Sequence, residues 1–449
     1  MSVLMVSVSG IRGIIGNGLE PEVIVKHTSA FGEFIGGGTV VIGRDGRISG
    51  EMVRNIIVGT LQAKGINVVD LGICPTPTVL LMVRELKANG GIAITASHNP
   101  NEWNALKLIN NNGLFLSSSE NAKLREIENS GNFKYEKWNN LGKVSYTDGI
   151  KTHIEKIKNI SIIDLDQLRK RKFKVLVDCV NGAGSYCIPE LLEELGCEVI
   201  KINCEKNGIF PRLPEPIPEN LTDTMEAIKK HNVDLGIVVD PDVDRLVLLT
   251  EKGEPFVEEN TIVQITKFIL SKIKGNVVVN LSTTRAVADV TKAAGCNIYL
   301  APVGEANVVQ KMLATNAVIG GEGSGGVIFP SVNFCRDALV GIALTLQHLL
   351  EFGGKASELK NSLPEYHIVK KKIELGKINP DEILKNLKNK FQNMQINDED
   401  GIRIDTDEYW VNFRKSNTEP IIRITCEAKS IEKANDIANY YFEEIKKLL

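Results

Sequence analysis

The chain has 449 residues, more than a single hydrophobic core accommodates, so several domains with clefts between them are expected. Hydrophobic residues make up 43% and charged residues 24%, with a formal net charge of -3; this excludes long disorder and gives no basic excess for a nucleic-acid backbone. No run approaches the ~20 apolar residues of a membrane span, and the eight scattered cysteines, lacking a Cys-x-x-Cys pair or zinc spacing, read as mostly buried, reduced thiols of a cytoplasmic protein. Met1 to Gly10 has an apolar run but neither the basic flank nor the cleavage pattern of a signal peptide.

In chain order, three stretches repeat one plan: apolar strand, polar loop, amphipathic helix, glycine, second apolar strand. They run from Val40-Val41-Ile42 to Val68-Val69, from Val175-Leu176-Val177 to Val199-Ile200, and from Val277-Val278-Val279 to Ile298-Tyr299. Each helix ends on a glycine, Gly65, Gly196 or Gly295, suited to a left-handed cap. Another helix and another apolar strand follow each unit, and each of those strands ends in an unusual loop. Alternating strands and helices imply mixed or parallel sheets covered by helices, with ligands at the strands' carboxyl ends. From about Tyr366 the pattern changes to a small α+β domain. The expectation is three related α/β domains with mixed sheets, 1–150, 151–251 and 252–365, plus a C-terminal α+β domain, 366–449, four domains around a central cleft.

The first loop, Thr95-Ala96-Ser97-His98-Asn99-Pro100, presents a serine at a strand end beside a histidine, with Lys107 shortly after. That pattern suits an activated nucleophile, and equally an ordinary polar turn. The second loop places Asp240, Asp242 and Asp244 within five residues, followed by Arg245. Three carboxylates so close repel one another unless a cation neutralises them, and a hard divalent ion such as Mg²⁺ is the natural ligand. A calcium EF-hand is rejected although Glu251 falls at its twelfth position, because Arg245 stands where glycine is needed and the flanks read as strands. A solvated acidic turn is the plain alternative.

The third loop, Gly321 to Gly326, matches a dinucleotide glycine pattern, but Val327-Ile328-Phe329-Pro330 cannot open the required helix and Glu322 would repel a pyrophosphate. Glu322 and Ser324 suit sugar hydroxyls better. A fourth loop supplies Arg414, Ser416, Asn417 and Thr418, and Arg423 lies just beyond; guanidinium forks, hydroxyls and turn amides together suit a phosphate dianion, or a plain surface hairpin.

Taken in order, these loops resemble the α-D-phosphohexomutase superfamily over nearly the whole chain. The resemblance implies that Ser97 is the phosphoserine; that Asp240, Asp242 and Asp244 hold Mg²⁺ with a phosphoserine oxygen; that Glu322 and Ser324 contact sugar hydroxyls; and that Arg414, Ser416, Asn417, Thr418 and Arg423 hold the non-reacting phosphate. Arg12 matches the arginine of the N-terminal motif, His98 and Lys107 match positions linked to proton transfer, and Arg245 accompanies the metal loop. The implied reaction interconverts hexose 1-phosphate and 6-phosphate through a bisphosphorylated sugar. Departures are Ser9 for a usual Asp, Ala105 for a Gly, Gly326 where many members have His, and Val303-Gly304-Glu305-Ala306-Asn307 without the Lys or His of glucose and mannose mutases. The loops look most like the members acting on glucosamine phosphate, with mannose and glucose phosphates close behind. Rival readings are a phosphoserine-dependent sugar phosphatase and a silent sugar-phosphate binder. The expected partner is a phosphosugar, with no nucleic acid and no membrane.

Overall fold

The computed structural model describes residues 3–7, 10–376, 378–416 and 421–448. Ser9, Asn417 and Thr418 therefore lie outside the described residues. The chain divides into two compact units, one of residues 1–261 with 324–360 and one of residues 262–323 with 361–449.

The first unit contains two sheets. In the larger, the fully buried strand Gly90–Ile94 runs parallel to Thr39–Arg44 and antiparallel to Trp103–Ile109, while Thr39–Arg44 also pairs in parallel with Asn67–Ile73. The N-terminal strand Gly10–Ile15 adds antiparallel to Trp103–Ile109 and so brings Arg12 to the same sheet. The second sheet repeats this plan: Lys174–Asp178 is parallel to Glu198–Ile202 and to Leu235–Val239, and Leu235–Val239 is antiparallel to Leu246–Thr250. Burial on both faces explains why Leu235–Val239 and Leu246–Thr250 read as unbroken apolar runs rather than alternating ones.

In the second unit, Asn276–Asn280 is parallel to Ile298–Ala301 and to Ala317–Glu322, the same order a third time. The repeat extends to its punctuation. Gly65, Gly196 and Gly295 all have φ near +70 to +80° (72°, 82° and 68°), and each amide donates to the carbonyl three residues back, at 2.9 to 3.0 Å. Only glycine takes that conformation without cost, so one cap chemistry ends all three helices. The C-terminal part is a five-stranded antiparallel sheet in the order His367–Glu374, Ile421–Ala428, Tyr409–Lys415, Ile402–Asp405, Gln395–Asn397, with helices Pro380–Lys390 and Ile431–Lys446. Its core is Ile373, Ile404, Phe413 and Ile424, which the period-two pattern of the strands places on one face, together with Tyr441 from the helix Ile431–Lys446.

None of the eight cysteines is in a disulfide, and five of them are buried. No described helix is long and apolar enough to cross a membrane.

Candidate active site

Ser97 follows the buried strand Gly90–Ile94 and sits at φ +50°, a left-handed conformation uncommon for a residue with a Cβ. What holds it there is Arg47, whose guanidinium is fully buried and donates to the carbonyls of Ser97 (2.6 Å), Asn99 (2.7 Å), Trp103 (3.2 Å) and Pro100. Arg47 Nε in turn donates to Asp45 Oδ2 at 2.9 Å, and the same oxygen accepts from Thr95 Oγ1, which accepts from the Ser97 amide at 2.9 Å. Burial pushes the Asp45 carboxyl upward, against the pull of Arg47 and Thr95. The serine loop is thus fixed from beneath by one ion pair satisfying otherwise orphaned carbonyls. Arg12 reaches the loop as well, donating to Asn99 Oδ1 at 2.8 Å; burial lowers its pKa despite the nearby Asp242.

The Ser97 hydroxyl donates to Asp240 Oδ2 at 3.0 Å and lies 3.3 Å from His98 Nδ1. Burial, with Arg245 and Arg12 nearby, holds the His98 imidazole down to about 2, so it is neutral around pH 7. Asp240, Asp242 and Asp244 are 0 to 1% exposed, and one oxygen from each can be chosen so that all lie within 4.8 Å of one another. That burial disposes of the solvated acidic turn. At such a distance two carboxylates repel by roughly 3 to 4 kcal/mol at an effective dielectric of about 20, so compensation is needed. Part of it is internal. Lys107 Nζ is 2.7 Å from Asp242 Oδ2 and 3.6 Å from Asp244 Oδ2, and Arg336 Nη2 is 2.7 Å from Asp244 Oδ2.

These cations leave marks on the carboxyls. Asp240 is pushed well above the usual range by burial and by its two acidic neighbours. For Asp242 burial works in the same direction but is outweighed, chiefly by Lys107, and the group is held low. Lys107 would be lowered by burial alone, yet Asp242 and Asp244 raise it. Among the described residues, Asp242 Oδ1 and Asp244 Oδ1 are buried and accept no hydrogen bond, and Arg245 Nε lies 4.0 Å from the latter. Buried, open carboxylate oxygens beside a serine hydroxyl are a donor set that fits a hard divalent cation. Glu251, by contrast, is engaged by the Ser357 amide and hydroxyl and takes no part.

The remaining sequence candidates divide between the units. Ser324 is in the first, where its hydroxyl accepts from Arg336 Nη1 at 3.4 Å, and Arg245 donates through its amide to Asp240 Oδ1. In the second unit, Glu322 Oε1 accepts from Asn280 Nδ2 (2.9 Å) and the Gly304 amide (3.1 Å). Arg414 and Arg423 face each other across adjacent strands, and Ser416 donates its amide to the Ile421 carbonyl. Lys372 is the register partner of Arg423 on its other side, so three cations form a row across one sheet face. Arg414 is paired with Asp400 at 2.9 Å.

Participants that escaped sequence reasoning include Arg47, Thr76, Arg336 and Lys372. Only Arg47 carried a local signal, the Gly43-Arg44-Asp45-Gly46-Arg47 stretch at the end of the first strand of the first repeat.

Sequence models for phosphoglucomutase/phosphomannomutase match consecutively: α/β/α domain I over residues 4–134, domain II over 151–253, domain III over 259–366 and the C-terminal domain over 369–444. The chain belongs to the phosphoglucomutase/phosphomannomutase family. It is therefore a four-domain member of the α-D-phosphohexomutase superfamily and a phosphotransferring isomerase. A probable phosphoglucosamine mutase of Methanopyrus kandleri is 34% identical over 444 residues, 98% of this chain and 97% of that one. A phosphoglucomutase/phosphomannomutase of Thermococcus kodakarensis is 38% identical over 436 residues, 95% of each. The crystal structure of a phosphoglucomutase/phosphomannomutase family protein from Burkholderia thailandensis matches with a TM-score of 0.87 at 27% identity, covering 99% of this chain and 98% of that one.

Proposed function

We propose that Ser97 carries the phosphoryl group in the interconversion of hexose 1-phosphates and 6-phosphates, and that glucosamine phosphate is the leading substrate. The observation that carries the serine assignment is its hydroxyl, buried and 3.0 Å from Asp240 beside two open carboxylate oxygens. Asp240, Asp242 and Asp244 would hold Mg²⁺ together with an oxygen of phosphorylated Ser97. When bound, the ion supplies positive charge against the charge that builds on the phosphoryl oxygens.

The chain's own residues do the rest. Arg47 keeps Ser97 in its left-handed conformation, so the loop needs no reorganisation at the moment of transfer. For the proton of the attacking or leaving hydroxyl, His98, neutral and within reach of Ser97 Oγ, would be the acceptor and Lys107, which Asp242 and Asp244 keep charged, the donor. Arg12 and Arg245 add positive charge around the phosphoryl group. Glu322 and Ser324 would meet sugar hydroxyls, and Arg414, Ser416 and Arg423, with Asn417 and Thr418, would take the phosphate not being transferred. Ser97 gives its phosphoryl group to the free hydroxyl end of the sugar phosphate, and the other phosphate of the resulting bisphosphate returns to Ser97, so phosphorus is conserved in each cycle.

Support for glucosamine phosphate comes from the Methanopyrus relative and from the Val303–Asn307 loop without Lys or His; the Thermococcus relative favours mannose and glucose phosphates as the second reading. The deciding experiment offers glucosamine, glucose and mannose 1-phosphates and 6-phosphates with Mg²⁺ and a trace of the matching bisphosphate, and resolves the isomers by NMR. Selective isomerisation of one sugar assigns the substrate. Release of free phosphate without isomerisation would instead establish a phosphatase, and no reaction with phosphorylated Ser97 a silent binder.

A further inference from the structure

We propose that Arg336 is a positioning residue that tunes which divalent cation the Asp loop accepts, by withholding one oxygen of Asp244; the inference rests on the metal reading above. Arg336 Nη2 occupies Asp244 Oδ2 at 2.7 Å, while Oδ1 is buried and accepts no hydrogen bond. Asp242 is divided in the same way: Lys107 (2.7 Å) and Thr76 (2.8 Å) take Oδ2, and Oδ1 is open. Two of the three carboxylates therefore offer one oxygen each.

The Arg336 side chain is placed by its surroundings. Its stem lies against the bare backbone of Gly326, where a Cβ would come within 2.2 Å of its Cδ and 2.8 Å of its Cγ. Just beyond it, the Asp337 amide donates to the Val327 carbonyl (2.8 Å) and the Ala338 amide to the carbonyl of Val243 in the Asp loop itself (3.1 Å), while Asp337 caps the helix Ala338–Phe352. Guanidinium and metal loop are thus tied together through backbone as well as charge.

The consequence follows from coordination chemistry. Mg²⁺ is satisfied by single oxygens in an octahedron, whereas Ca²⁺ takes 6–8 oxygens and commonly uses both of a carboxylate. Blocking the second oxygen of Asp244 therefore costs Ca²⁺ more than Mg²⁺. Both ions carry the same charge, so loss of the Arg336 charge acts on them alike and the ratio of affinities isolates the effect of the freed oxygen.

The test is calorimetric binding of Mg²⁺ and, separately, Ca²⁺ to the full-length, dephosphorylated protein stripped of divalent ions, for wild type, Arg336→Met and Gly326→Ala. The expected result is a shift of the Ca²⁺ to Mg²⁺ affinity ratio toward Ca²⁺ by about tenfold in Arg336→Met. Gly326→Ala, which displaces the stem and keeps the charge, should shift the ratio the same way by a smaller factor, and it carries the test alone if Arg336→Met fails to fold. A ratio within twofold of wild type in the folded variants overturns the inference while leaving the metal site standing. Failure of the wild-type protein to bind either ion overturns the metal reading and the inference with it.

Discussion

The serine and aspartate loops of the first unit and the cationic row of the C-terminal sheet handle charge in opposite ways. In the first, the carboxylates, Arg47 and Lys107 are buried, Arg336 is half-buried, and most of the balance is internal: Arg47 with Asp45, Lys107 with Asp242, Arg336 with Asp244. In the second, Lys372 and Arg423 are exposed and stand in register beside Arg414, and Asp400 answers only part of that charge. Like charges directly opposite on a sheet are destabilising, so that row is better suited to meeting an anion than to holding the fold together. A buried, prearranged centre suits chemistry that must exclude water; an open row suits a phosphate that has to arrive and leave.

The most severe way to break this comparison is Ser97→Ala. Turnover should fall by at least about 10³-fold with no loss of fold, since only a hydroxyl is removed from a loop that Arg47 holds by its carbonyls. Isomerase activity and thermal unfolding measured on the same preparation decide it; retained activity would remove Ser97 from the reaction.

Lys107→Met tests the buried balance. Removing one member of a buried pair leaves a charge uncompensated, which typically costs about 3 to 5 kcal/mol, and Lys107 is the nearest cation to Asp242. Urea unfolding near neutral pH should show a loss of that order, offset by added Mg²⁺. A loss below about 1 kcal/mol would mean that the pair contributes little to holding the loop.

The outcome also bears on what a reader of the sequence alone can see. Ser97 and the three aspartates were legible because each lies in a short local pattern at a strand end, and the threefold repeat was legible because hydrophobic periodicity and capping glycines are local signals. Arg47, Arg336 and Thr76 were not, because their partners are 50, 92 and 166 residues away. The same distance hides the burial of Asp240, Asp242 and Asp244, which turns an acidic turn into a metal-competent site. Lys372 was hidden by register: nothing in Lys370-Lys371-Lys372 says which lysine faces Arg423 until the strands are aligned.

Arg423→Gln should leave the first unit's chemistry alone and raise the KM for a hexose phosphate by roughly tenfold, the scale of one charge-assisted hydrogen bond, with kcat much less affected. Thermal unfolding should be unchanged or slightly higher, because a like-charge opposition has been relieved. A fall in kcat at unchanged KM would place Arg423 outside phosphate binding.

Salt gives the finest discrimination between the two regions. Ionic screening acts over about 8 Å at 0.15 M and weakens exposed charges far more than buried ones. Raising the ionic strength from about 0.05 to 0.5 M with a non-binding salt should therefore increase KM several-fold through Lys372, Arg414 and Arg423. The rate at saturating substrate, governed by the buried centre, should change much less. In Lys372→Met the salt dependence of KM should be shallower than in wild type, because one of the screened charges is gone. If the slope is unchanged, Lys372 does not belong to the phosphate-binding row, and its place beside Arg423 is a consequence of strand register alone.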